Sequence, residues 1–282
     1  MQLITWNVQW FCGLDDVVSV ERVVAEAHAM ADFDLLCLQE VAVNYPQLAG
    51  NAGFDQVARL QQLLPGFEIC FGAAVDELGR DGQRQRFGNL VATRLPLAQL
   101  QHHPLPYPDD AGVRSMPRMC TMATVLAPWG PLRVMTTHLE FYSARQRMAQ
   151  ARALVDIHAQ ACRQAAHAPL ADETGGPFQT KAHTGSAILC GDFNLETPDT
   201  EYALVQGDPA PDATGLTDAW HLAHGVQPHA PTFRLFDRRY GPVPIACDFV
   251  FVSDDLKPRV KRLEVNLQTR ASDHQPVLLE LV

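Results

Sequence analysis

Apolar and polar positions along this chain alternate between two periods. Short apolar runs, the pattern of buried strands, occur at Leu3 to Val8, Asp34 to Gln39, Phe67 to Phe71, Asn89 to Thr93, Thr121 to Leu126 and Leu132 to Thr137. Three more stand at Ala187 to Cys190, Ala246 to Val252 and Val277 to Leu281. Helical spacing governs Val17 to Ala31, where Val20, Val23, Val24, Ala27 and Met30 share a face. A second helix is predicted over Phe54 to Leu64, stopped by Pro65-Gly66. Ser143 with Gln146 forms a capping box and opens a third, with Met148, Ala151, Val155 and Cys162 predicted on one face. Strand pairs and helical crossovers both occur, which predicts sheets packed face to face rather than one doubly wound parallel sheet.

Between these elements lie predicted loops at Val75 to Arg86, Pro104 to Pro117 and Pro228 to Pro244. The longest irregular stretch, about 165–186, is read as a surface excursion because the strand pattern resumes directly at Ala187. One domain over 1–282 is therefore expected.

Composition is that of a globular protein, with 282 residues, 47% hydrophobic and 19% charged. The net charge of -10 and the pI of about 5.5 do not suit tight non-specific binding of a polyanion. Nucleic acid stays open as a substrate because bound cations supply positive charge locally. No run of about 18 apolar residues predicts a membrane span. Met1-Gln2-Leu3-Ile4 enters a strand pattern without a basic leader, so no secretory signal is expected. The seven cysteines include no CxxC pair, and Cys37, Cys120 and Cys190 lie inside apolar runs. They are read as buried thiols in a reducing cytoplasm.

Candidate chemistry gathers at the ends of the apolar runs. The first releases Asn7 and the second Glu40. Leu132 to Thr137 releases His138, and Ala187 to Cys190 releases Asp192 and Asn194 within Gly191-Asp192-Phe193-Asn194. Asp248 follows Ile245-Ala246-Cys247, and Asp273-His274 precedes the last strand. Singly, each has a plain alternative as a turn former, a cap or a hydrogen-bonded core residue. Together they offer hard oxygen ligands, which suit Mg²⁺, Mn²⁺ or Ca²⁺. No HExxH, thiolate cluster, GxSxG elbow or Walker-type loop is present. Two histidines beside carboxylates add acid–base capacity near neutral pH. The combination suits hydrolysis of a phosphate ester. Arg118, or else Arg114, precedes the strand at Cys120 and is a candidate phosphate clamp, with a solvated loop arginine as the alternative.

The ordered set Thr5-Trp6-Asn7, Leu38-Gln39-Glu40, Thr137-His138-Leu139, Gly191-Asp192-Phe193-Asn194, Cys247-Asp248-Phe249 and Ser272-Asp273-His274 resembles the endonuclease/exonuclease/phosphatase superfamily. The resemblance spans nearly the whole chain. It implies an α+β fold, a four-layer α/β/β/α sandwich of two packed mixed sheets flanked by helices, with the site at one end of the sheets. It implies Glu40 as principal metal ligand with Asn7 and Asp273 beside it, for Mg²⁺ or Mn²⁺. Asp192 and Asn194 would orient water and phosphate, or bind a second divalent cation. His274 would act as base or phosphate-stabilising group, oriented by Asp248, and His138 as phosphate contact or acid.

No subgroup matches cleanly. Gln9 stands where repair-type members carry a second carboxylate, and they have tyrosine where this chain has His138. Phe87-Gly88 replaces the glutamate that orients that histidine in pancreatic-type deoxyribonucleases, and Phe249 replaces the arginine of inositol 5-phosphatases. Pro231-Thr232-Phe233-Arg234 is similar to a segment of that last branch but is read as a generic strand. The expected activity is divalent-metal-dependent hydrolysis of a phosphate ester. A DNA or RNA nuclease is the alternative, with Arg80, Arg84, Arg86, Arg114, Arg238 and Arg239 among Phe87, Tyr107, Phe236 and Tyr240 as its rim. A catalytically inactive binding module is the reading from another class. No obligate protein partner is inferred.

Overall fold

A computed structural model describes residues 1–50 and 52–282. The elements run β1 (Gln2–Asn7), α1 (Val20–Met30), β2 (Leu35–Tyr45), β3 (Ala52–Asp55), α2 (Gln56–Leu63), β4 (Glu68–Leu78), β5 (Arg84–Thr93), β6 (Leu97–Pro104), β7 (Met119–Ala127) and β8 (Gly130–His138). There follow α3 (Ala144–Ala166), β9 (Ala187–Asp192), α4 (Thr200–Val205), β10 (Leu216–Asp218), α5 (Ala219–His224), β11 (Asp248–Ser253), β12 (Val260–Val265) and β13 (Val277–Leu281). One sheet has the order β12-β13-β1-β2-β5-β4, with β3 beside β2. The other has the order β10-β11-β9-β8-β7-β6. Both are mixed, since β1–β2 and β8–β9 are parallel and the remaining pairs antiparallel.

Alternation within the strands builds the layers. Leu3, Leu35, Cys37 and Val91 face Val134, Ile188, Cys190 and Val250 across the inter-sheet core. Their neighbours Ile4, Trp6, Leu36 and Leu38 turn outward onto Val20, Val23, Val24 and Ala27 of α1 and Leu60 of α2. On the far side Met135, Leu189, Phe249 and Phe251 pack against Ala151 and Leu154 of α3 and Tyr202 of α4. This is the expected four-layer sandwich. The Ser143 cap forms as expected, its Oγ accepting from Gln146 N at 3.1 Å, but the Gln146 side chain donates to Pro108 O at 2.8 Å and does not close the capping box.

Several expectations are corrected. The segment Val75 to Arg86 is a hairpin rather than a loop, since β4 reaches Leu78 and β5 starts at Arg84. Polar Asp76, Arg84 and Arg86 are built into the paired ends of β4 and β5, which masks the apolar signal. β6 and β12 run along the sheet edges with half-buried and exposed residues mixed, and carry no continuous apolar run. On α3 the buried stripe is Gln150, Ala151, Leu154, His158 and Cys162, with Met148 and Val155 only partly buried. Its polar members are buried because each has a partner: Gln150 Oε1 accepts from Glu140 N at 2.9 Å, and His158 bonds Arg133. α3 runs to Ala166, so the irregular excursion begins at His167, close to where it was expected.

At Gly191 β9 comes very close to β8. Its φ is +136°, and a Cβ there would lie 2.0 Å from Thr137 O. Gly191→Ala is therefore expected to cost more than about 2 kcal/mol in urea unfolding. A variant with the wild-type midpoint would contradict this close approach.

Candidate active site

Strand polarity carries the polar residues to one end of both sheets. β1 and β2 run parallel, so Asn7 ends one strand beside Gln39 on the other. Parallel β8 and β9 bring His138 level with Asp192. β11 runs antiparallel to β9, so Asp248 enters the site at a strand start, opposite Asp192, and not after a strand as the sequence pattern suggested. Glu40 likewise does not end its strand: β2 continues to Tyr45, and the register against β5 slips between Leu38 and Val41. Glu40 occupies this bulge with φ +62°, which aims its carboxyl into the site. Just beneath, Gln39 Nε2 donates to Thr5 Oγ1 (3.2 Å) and across to Thr136 Oγ1 of the other sheet (2.9 Å), tying the two sheets together.

The side chains meet at the floor of a cavity of about 340 Å³. Glu40, His138, Asp192, Asn194, Asp273 and His274 line it. Asn7 and Asp248 stand behind them, 1% and 2% exposed. Asn7 Nδ2 donates to Asp192 Oδ2 at 2.9 Å and Glu40 Oε1 at 3.2 Å, while its Oδ1 accepts from Gln9 N at 3.1 Å. Asn7 thus holds the two carboxyls together through its amide nitrogen. Asp192 Oδ1 accepts from Asn194 N at 2.9 Å, and Asn194 Nδ2 donates to Leu139 O at 2.9 Å, fixing a residue whose φ is +51°. The loop before β13 is held by Trp6 Nε1 donating to His274 O (2.9 Å) and Ser272 Oγ donating to Asn7 O (2.8 Å).

The two histidines are driven to opposite protonation states. His274 Nδ1 donates to Asp248 Oδ2 at 2.9 Å, and its Nε2 lies 3.7 Å from Asp192 Oδ2. Burial opposes its charge, but Asp248 and Asp192 outweigh burial and push its pKa up to about 10, so it is an imidazolium. His138 is held well below the usual histidine range by burial, then by Arg118 and His274, and is neutral. Its Nε2 is 3.5 Å from Asp192 Oδ2 and 3.8 Å from Glu40 Oε1. The small void behind it is walled by Phe87, Gly88, Asn89, Met116 and Arg118 and holds no carboxyl, so Asp192 and Glu40 are its acidic neighbours. Burial and then Asp273 push the Glu40 carboxyl up to about 7. Burial and Asp248 push Asp192 up to about 6 against the pull of His274. Asp273 is raised as well, by burial first. Carboxyls crowded until they resist ionisation form a hard, anionic donor set that suits a divalent cation.

Arg118 is no solvated loop residue: it is 5% exposed and its Nε donates to Glu140 Oε2 at 3.1 Å, while Nη1 has no partner. Arg114 lies exposed at the mouth, 5.8 Å over the Tyr142 ring. Glu140, fully buried, was missed in the sequence. It accepts from Arg118 and from Tyr142 N, but its partner is 22 positions away and no local pattern signals it. Phe233 was also missed as a site residue. It forms bridges to Ile245 and His274 rather than a regular strand, and its ring stacks on His274 at 4.3 Å. Thr232 Oγ1 accepts from Cys247 N and Asp248 N, both at 3.1 Å, and so anchors the start of β11. Trp10, in a run of three positive-φ residues from Gln9 to Phe11, walls the far side. Its cue was absent because left-handed backbone at non-glycine residues has no sequence signature.

Two sheets packed with helices outside, and a carboxyl–histidine cluster at their shared end, define the class of protein. The sequence profile of the endonuclease/exonuclease/phosphatase family matches residues 4–274, and the chain belongs to that family. Members are usually phosphoester hydrolases and generally use divalent metals. No curated protein matches the sequence. Among solved structures, an endonuclease/exonuclease/phosphatase from Beutenbergia cavernae is 24% identical with a TM-score of 0.69, over 100% of this chain and 71% of that one. A mannosyl-6-phosphatase from Bacteroides thetaiotaomicron is 19% identical with a TM-score of 0.64, over 100% and 99%. D. rerio TDP2 complexed with single strand DNA product is 20% identical with a TM-score of 0.63, over 99% and 97%. These likenesses are likenesses of fold. Among the described residues no helix is long and apolar enough to cross a membrane.

Proposed function

We propose that this protein is a divalent-cation-dependent hydrolase of phosphate esters, acting through the cluster at the cavity floor. The observation that carries the reading is the convergence of Glu40, Asp192 and Asp273 with a neutral His138 and a charged His274–Asp248 pair. Glu40 and Asp273 would hold Mg²⁺ or Mn²⁺, and Asn7 Oδ1, which spends one of its two lone pairs on Gln9 N, would join them. Such an ion neutralises phosphoryl charge. Asp192, with a carboxyl raised to about 6, is suited to take the proton of an attacking water that Asn194 helps place. The His274 imidazolium, aligned by Asp248, donates to a phosphoryl oxygen. His138, being neutral, is assigned the phosphate contact rather than proton donation to the leaving oxygen. Arg118, with its free Nη1, is the better clamp of the two arginines, and Arg114 guards the mouth.

The nuclease alternative finds less support at the rim. Arg84 is paired with Asp76 and Arg239 with Asp237, each at 2.6 Å, which leaves less free positive charge than a strand-binding groove uses. The inactive-module alternative is disfavoured because every position of the set carries a competent side chain. A reducing cytoplasm belongs to the same proposal, as all seven cysteines are free and buried. A panel of DNA, RNA, aryl phosphomonoesters and diesters, sugar phosphates, inositol phosphates and sphingomyelin, with Mg²⁺ and Mn²⁺, tests it. Hydrolysis that EDTA abolishes is the expected result. Cation-independent hydrolysis, or none on any ester, would refute it.

A further inference from the structure

On the outer face of the second sheet, away from the cavity, Arg133 of β8 is buried at 3% exposure without an acidic partner. Among the described residues no carboxylate lies within ion-pairing distance of it. A guanidinium keeps its charge in a protein, and a buried charge without a counter-charge is strongly disfavoured. Its Nε donates to Thr184 O at 3.0 Å, and its Nη2 lies 3.1 Å from His158 Nδ1 and 3.6 Å from Cys162 Sγ. Its Nη1 is buried with no partner.

Arginine can only donate, so His158 Nδ1 accepts and the ring proton sits on Nε2. That Nε2–H points to Thr214 O at 3.0 Å and Cys162 Sγ at 3.6 Å. Thr214 Oγ1 stands 3.8 Å from the same sulfur. Donors from β8 and α3 therefore converge on Sγ, with the Thr214 hydroxyl beside it. The other ionisable groups nearby are otherwise engaged. Asp255 accepts from Ser186 and Ser253, Asp254 accepts from Gly215 N, and burial pushes the Cys120 thiol up to about 12.

We propose that Cys162 rests as a thiolate, the counter-charge of Arg133, and is a site of oxidation by hydrogen peroxide. The sulfur attacks one peroxide oxygen, an S–O bond forms and the O–O bond breaks. Sulfur is oxidised to a sulfenic acid that keeps the proton of that oxygen, and the departing hydroxide is protonated by solvent to water. Cys162 is 4% exposed, and part of the cover over its sulfur is Gly185, which brings no side chain. The excursion that supplies Gly185 is irregular backbone, which opens more readily than helix or sheet. Burial opposes the thiolate, but the His158 hydrogen bond, Thr214 and the Arg133 charge hold its pKa below the ordinary thiol value. Cys12, Cys37, Cys70 and Cys247 are instead raised, Cys37 first by the neighbouring Cys190 and the other three first by burial.

The difference in ultraviolet thiolate absorbance between wild type and Cys162→Ser should titrate well below the free-thiol value of about 8.5. Arg133→Met should move that midpoint up by at least about one unit. If that variant does not fold, His158→Gln should raise it as well. Peroxide followed by dimedone should place an adduct on Cys162 at neutral pH, while Cys162→Ser hydrolyses phosphate esters as wild type does. A midpoint at or above the free-thiol value of about 8.5, or treated protein with no adduct on Cys162, overturns the proposal.

Discussion

Asp192→Asn is expected to lower turnover by about 10²- to 10⁴-fold on any phosphate ester this protein hydrolyses, with the fold intact. Asparagine matches aspartate in shape and retains an acceptor for one of the bonds from Asn7 and Asn194. It cannot take a proton. The lost carboxyl is 1% exposed and resists ionisation, its pKa lying at about 6, so its charge adds little to the stability of the metal-free protein. Melting temperature should therefore change little while kcat falls. His274→Ala should also depress turnover strongly. It strips Asp248 of its 2.9 Å partner, however, and loses stability at the same time, which makes Asp192→Asn the cleaner measurement. Wild-type turnover in Asp192→Asn would remove Asp192 from proton transfer.

Glu40→Gln is expected to abolish thermal stabilisation by Mg²⁺ or Mn²⁺. A cation at 100 times its Kd raises unfolding stability by about 2.7 kcal/mol in wild type. The folded carboxyl of Glu40 titrates at about 7, above its ordinary value of 4.5. In metal-free protein its contribution is fully present below the ordinary value and is lost as pH rises through about 7. A cation must displace that proton, so its apparent affinity should fall about tenfold per unit of pH below 7. Melting curves at pH 6 and pH 8, with and without cation, measure both effects. The cation should help wild type far more at pH 8, and Glu40→Gln at neither pH. An undiminished response in Glu40→Gln would show that Glu40 is not the principal ligand.

Legibility followed burial. Strands buried on both faces, such as β1, β9 and β11, announce themselves as apolar runs. Edge strands such as β6 and β12 do not, because half their residues face water. The site residues were legible where a lone polar side chain interrupts an apolar run, as at His138 and Asp192. Glu140 and Phe233 lack such contrast. Each becomes part of the site through a partner far along the chain, Arg118 for one and His274 for the other.

By itself the sequence determined the layers, most of the strands and the identity of the polar groups at their ends, because burial and periodicity are local properties of side chains. Tertiary structure alone decided what those groups do. Asn7 meets Asp192 across 185 positions and offers it the amide nitrogen, while its oxygen accepts from Gln9 N. The opposite charge states of His138 and His274 depend on which charges surround each ring. The same holds for Cys162, whose sequence surroundings mark it only as one more buried thiol. Protonation is set by the field at a point in space, and chain neighbours contribute only part of that field.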